Sequence, residues 1–113
     1  MNREYGDYVD DILDSMDAIE EFVEGMSFDD FEKDRKTIYA VVRAIEIIGE
    51  AAKKVPDSVR TKHPDIPWKD MAGMRDKVIH EYFGVDLEIV WETVSRHIPT
   101  IKPLMKAVLK DVE

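Results

Sequence analysis

Apolar residues at Tyr5, Tyr8, Val9, Ile12, Met16, Ile19, Val23 and Met26 recur in steps of three and four, which gathers them on one stripe of a helix. The spacing predicts a first helix over about residues 4–25. Gly25 weakens its end, and Ser27, three residues before Asp30, reads as a capping arrangement that opens the next helix. Phe28, Phe31, Ile38, Val42, Ile45, Gly49 and Ala52 hold the same period as far as Pro56, so a long second helix is expected over about 28–55. Pro56, Pro64 and Pro67, with Asp57 and Asp65, mark 56–67 as a connection with at most one short helical turn. Pro67 suits the first position of a third helix over 68–83, Gly84 its stop, and Asp86 the N-cap of a fourth. In that fourth helix Leu87, Val90, Trp91, Val94 and Ile98 share a face, and Pro99 and Pro103 should kink or divide it. No segment alternates apolar and polar residues over a strand's length, and no repeat appears. The expected class is all-α, an antiparallel four- to five-helix up-and-down bundle forming a single domain over 1–113.

Composition narrows the chemistry. A chain of 113 residues can bury a sizeable core without disulfides or metals to hold it. The absence of Cys excludes a disulfide framework, a thiolate nucleophile and a Cys-based zinc site. Residues 1–7 lack a basic flank followed by an apolar run, and no stretch reaches the apolar length of a membrane span. A soluble, cytoplasmic protein without membrane contact is expected.

The net charge of −9 runs against binding a polyanion, which depends largely on Lys and Arg, but the charge is unevenly spread. Thirteen Asp or Glu in residues 1–34 face only Arg3 and Lys33. In residues 53–80 the balance reverses: Lys53, Lys54, Arg60, Lys62, Lys69, Arg75 and Lys77 face Asp57, Asp65, Asp70 and Asp76. Lys53, Lys54, Lys69 and Lys77, with Arg60 and Lys62, are candidates for an RNA approach path, although a solvated charged face explains them equally well.

That basic stretch ends in Arg75-Asp76-Lys77-Val78-Ile79-His80-Glu81-Tyr82. The pattern Arg-x4-His-x-Tyr is expected about 0.006 times by chance from this composition. An imidazole with an ordinary pKa near 6.5 is the side chain best placed to take a proton from a ribose 2′-hydroxyl, or return one to a leaving 5′-oxygen. Arg75 stays charged and offers a planar fork of donors to phosphate oxygens. Internal attack of this kind requires no metal. His63, His80 and His97 also lack the paired spacing of a helical metal site, so neither metal nor cofactor is expected. On a continuous helix Arg75 and His80 would lie some 140° apart, whereas Asp76 and His80, four residues apart, would share a face on which the carboxylate could orient the imidazole. Pairing Arg75 of one subunit with His80 of another would relieve the mismatch, which favours a homodimer.

The stretch Pro67–Asp86, together with Glu46-Ile47-Ile48-Gly49-Glu50-Ala51-Ala52-Lys53-Lys54, resembles the HepT-like toxins of the HEPN superfamily across roughly residues 28–105. The resemblance implies a HEPN-type bundle and an RNA-cutting homodimer with Arg75, Asp76 and His80 at its active site. It further implies neutralisation by a cognate minimal nucleotidyltransferase antitoxin that AMPylates Tyr82. A non-catalytic HEPN partner that binds nucleotide or scaffolds such a nucleotidyltransferase is the alternative, and a purely structural bundle is a third. Trp68, Trp91 and Phe83 read as packing residues rather than base-stacking surfaces. His63 and His97, each close to a proline, read as loop or surface residues.

Overall fold

A computed structural model describes the backbone of residues 4–80 and 84–112 and the side chains of 5–78 and 85–111. The first apolar stripe forms helix α1, Glu4–Val23, burying Val9, Ile12, Leu13, Met16 and Ile19 against the later helices Arg35–Lys54 and Ile98–Val112. Gly25 takes φ +77°, the left-handed region that a Cβ disfavours, and turns the chain into α2, Phe28–Lys33. The capping box forms as expected: Asp30 N donates to Ser27 Oγ at 3.2 Å and Ser27 N donates to Asp30 Oδ2 at 3.0 Å.

The long second helix expected over 28–55 is instead two helices. Asp34 closes α2 through its amide, which donates to the Phe31 carbonyl, and opens α3, Arg35–Lys54, by accepting from Thr37 N at 3.0 Å. A short acidic side chain that bonds nearby backbone offers the chain an alternative to a continuous ladder. The corner swings Phe31 into the core, fully buried, with its ring centroid 5.2 Å from that of Trp91. At the other end of α3, Arg60 donates to the carbonyls of Ala52 at 2.6 Å and Val55 at 3.0 Å. Arg60 therefore caps the C-terminal end of α3. It lies on α4, Asp57–Lys62, a six-residue helix where one short turn was expected.

The third helix expected over 68–83 breaks into shorter pieces. Pro67 is the N-cap of α5, Trp68–Ala72, rather than its first residue. Gly73 then caps α5, its amide donating to Lys69 O, and its own carbonyl accepts from Asp76 N and Lys77 N to start α6, Met74–Val78. α6 ends at Val78, whose carbonyl accepts from Asp86 N at 2.8 Å. A two-residue antiparallel pairing follows, β1 (Ile79–His80) with β2 (Gly84–Val85), in the register Ile79 to Val85 and His80 to Gly84.

Asp86 caps α7, Leu87–Glu92, as expected, accepting from Ile89 N at 3.2 Å. The division expected near Pro99 takes the form of a π-helical turn, Thr93–His97, leading into α8, Ile98–Val112. Proline supplies no amide to the preceding turn, and a wider turn absorbs the mismatch. Pro103 lies inside α8 without dividing it. Val90, Val94, Ile98, Ile101, Met105 and Val108 carry the buried stripe of this last third.

One core joins all of these pieces, and the architecture is an all-α helical bundle of HEPN type. α5 lies against α3 at Gly49, where a Cβ would stand in van der Waals contact, 3.4 Å from the backbone oxygens of Met71 and Ala72. No helix among the described residues is long and apolar enough to cross a membrane.

Candidate active site around Arg75

The polar side of α3 faces solvent between α1 and the α5–α6 segment, and it receives Arg75. From α6, Arg75 Nε donates to Glu46 Oε2 at 3.3 Å, and its Nη1 stands 3.6 Å from Asp76 Oδ1. Half of the arginine side chain remains exposed, whereas that of Glu46 is 29% exposed. Glu46 therefore anchors the guanidinium from the protein side while solvent reaches the rest. A cation held this way is oriented before a phosphate arrives, so less side-chain freedom is lost on binding.

Sequence reasoning missed Glu46 as a site residue. Its signal was a carboxylate between Ile45 and Ile47, on the helix face that points away from the buried stripe. Its partner lies 29 residues away, and only the fold brings the two together.

Asp76 lies on α6 beside Arg75, with 80% of its side chain exposed. His80 lies in β1, backbone-paired with Gly84; its side chain, and all of Tyr82, lie outside the described residues. Because α6 stops at Val78, the helical arithmetic applied to this segment is corrected. The separation of 140° between Arg75 and His80 does not hold, nor does the shared face of Asp76 and His80. The helix was expected to run on to its stop at Gly84, but it ends at Val78, whose carbonyl accepts from Asp86 N.

The four lysines diverge. Lys53 sits on the same face of α3 as Glu46 and pairs with Glu50 at 3.6 Å; Lys54 turns towards α1, its Nζ 5.6 Å from the Tyr8 ring centroid. Lys69 is exposed on α5, and Lys77 on α6 stands 3.8 Å from Asp70. Beside Lys77 a cleft of about 170 Å³ separates α5 and α6 from the π-helical turn, with Met71, Met74, Ile89 and Ile101 as its apolar floor and Lys77, Asp70, Glu92 and His97 at its rim. The tryptophans pack as expected: Trp68 is buried with Nε1 donating to His63 O at 3.0 Å, and Trp91 packs at a tilt against Phe28 and Phe31. His63 joins α4 to α8 through Asp111 at 2.7 Å. Among the described residues no group of three or more His, Asp or Glu could hold a metal ion.

A family model described as "Ribonuclease HepT-like" matches residues 12–108. A protein of Thermococcus cleftensis named "Probable ribonuclease HepT" is 51% identical over 102 residues, 90% of this chain and 93% of the relative. Proteins named "Putative RNase" are similar over comparable spans. One from Methanocaldococcus jannaschii is 48% identical over 111 residues, 98% of this chain and 92% of the relative. One from Caldanaerobacter subterraneus is 48% identical over 103 residues, 91% of this chain and 92% of the relative. No solved structure matches the chain.

Proposed function

The chain belongs to the HepT-like ribonuclease family, and from that premise we propose that it is an endoribonuclease cutting RNA by internal attack of the ribose 2′-hydroxyl. His80 takes the 2′-hydroxyl proton or supplies one to the departing 5′-oxygen. The 2′-oxygen bonds to phosphorus as the bond from phosphorus to the 5′-oxygen breaks, leaving a 2′,3′-cyclic phosphate and a 5′-hydroxyl. Arg75 stabilises the negative charge that builds on the phosphoryl oxygens, and Asp76 adds local polarity beside it. The observation that carries this reading is the half-exposed Arg75 guanidinium anchored on Glu46 at 3.3 Å, five residues before His80.

A homodimer, a nucleotidyltransferase antitoxin as partner and AMPylation of Tyr82 complete the proposal, and they rest on family membership. A phenol is a poor base at neutrality but can attack an activated nucleotide. Its oxygen would displace pyrophosphate from ATP, and the AMP it gains would carry a phosphate into competition with the substrate's. Coexpression with a cognate nucleotidyltransferase should add the mass of AMP to a peptide containing Tyr82 and stop cleavage. Equal neutralisation of Tyr82→Phe protein would refute the modification.

The cleavage chemistry is tested by incubating purified protein with single-stranded RNA in excess chelator and analysing the ends. Cleavage that persists and leaves 2′,3′-cyclic phosphate is the expected result. Strict dependence on added magnesium, or 3′-hydroxyl ends, would overturn the mechanism.

A further inference from the structure

Two turns before Glu46 on α3, Tyr39 stands 61% exposed and outside the core. Helical geometry places Arg35, Tyr39, Arg43 and Glu46 within about 80° of one another, so they form one solvent-facing stripe that ends at the carboxylate holding Arg75. Arg35 lies against Tyr39, its guanidinium carbon 5.6 Å from the ring centroid and its Nη2 3.4 Å from the phenol oxygen. Arg43 is exposed and makes no ion pair among the described residues, although Asp11 and Asp14 line the seam beside it. Lys36 adds a further exposed cation in the first turn, which contains no acidic residue.

We propose that Tyr39, flanked by Arg35 and Arg43, is a stacking platform for an unpaired RNA base next to the phosphate bound at Arg75. An exposed aromatic ring beside cations is the combination that holds single-stranded nucleic acid, the ring stacking on a base and the cations meeting the backbone. A duplex presents no free base face to such a ring. The stripe is locally basic in a chain of net charge −9, so it gives a polyanion a defined track beside an otherwise acidic α1. The platform gives the proposed nuclease a substrate preference, for unpaired over paired RNA, and it rests on that nuclease reading.

Binding is measured by fluorescence anisotropy with a labelled 2′-O-methyl oligoribonucleotide, which 2′-hydroxyl chemistry cannot cut. Tyr39→Ala should weaken binding roughly 5- to 150-fold, and Tyr39→Trp should restore it. Arg43→Ala should make the salt dependence shallower by about 0.7 in log–log slope. In cleavage assays Tyr39→Ala should raise KM and leave kcat nearly unchanged. If the wild-type protein cuts RNA and Tyr39→Ala changes neither affinity nor KM, the platform is refuted and the nuclease reading stands. If the protein binds the oligonucleotide in a Tyr39-dependent way but cuts no RNA, the nuclease reading fails and the platform stands. Loss of self-association in Tyr39→Ala, seen by sedimentation, would assign this face to a second copy of the chain and overturn the proposal.

Discussion

Helices α1 and α3 and the segment from α5 to β2 are built from the same chain by opposite means. The two long helices run 20 residues each and bury a regular apolar stripe, so their positions follow from packing. The segment that presents Arg75 consists of two five-residue helices and a two-residue strand pairing, pieces too short to persist alone. They are held by Gly73, by the amide of Asp86 and by burial of Trp68, Met71, Met74 and Val78. Between those anchors Arg75, Asp76 and Lys77 all face solvent. The contrast teaches a division of labour: the long helices supply stability, and the short pieces aim polar groups that stability does not require.

If that division is right, substitutions in the two regions should separate activity from folding. The largest effect is expected at His80. Its replacement by Ala should slow RNA cleavage by about 10²–10⁴, the usual worth of a general acid–base group, with the unfolding midpoint nearly unchanged; a matching loss of stability would break the comparison. Ile48→Ala, at a fully buried α3 position, should do the reverse. Denaturant unfolding should show a loss of about 2–5 kcal/mol, with cleavage retained at temperatures where the fold persists. Asp86→Ala probes the hinge between the regions. It removes the α7 cap at Ile89 N and should cost about 1 kcal/mol, read as a shift in midpoint.

The smallest effect is a pH dependence in the scaffold. The Thr37 amide lowers the Asp34 carboxyl below its ordinary 3.8, and the Ser27 amide does the same for Asp30. A depressed carboxyl stabilises the fold above its unfolded value, and that contribution is lost as pH falls through the lower folded value. Stability should therefore decline below about pH 3.8, the ordinary value, and Asp34→Asn, which can cap without titrating, should flatten the decline. An unchanged profile would mean that the corner does not respond to acid.

The same contrast explains what was legible in the sequence. Local signals were sufficient where structure is local: the α1 stripe, the box at Ser27 and Asp30, the cap at Asp86. The break at Asp34 was hidden because one more charged residue fits a periodic pattern, and its capping role shows only in the backbone bond to Thr37. The end of α6 was hidden because the group that bonds the Val78 carbonyl, the Asp86 amide, lies eight residues further along the chain. Arg75 was visible as part of a motif, but its anchor on Glu46 required two helices to be docked first. The helical argument for a dimer assumed a helix that does not continue, so the dimer now rests on family membership alone.

The most direct test of the account is the pair of measurements made on Arg75→Ala: cleavage rate and unfolding free energy. The side chain is half exposed and its ion pair lies at the surface, so removing it should change stability by less than about 1 kcal/mol. The same change should lower RNA cleavage by about 10²-fold or more, as loss of a transition-state charge contact does. Cleavage that survives Arg75→Ala, or a stability loss as large as that of Ile48→Ala, would contradict the claim that Arg75 serves the chemistry and is not needed by the core beneath it.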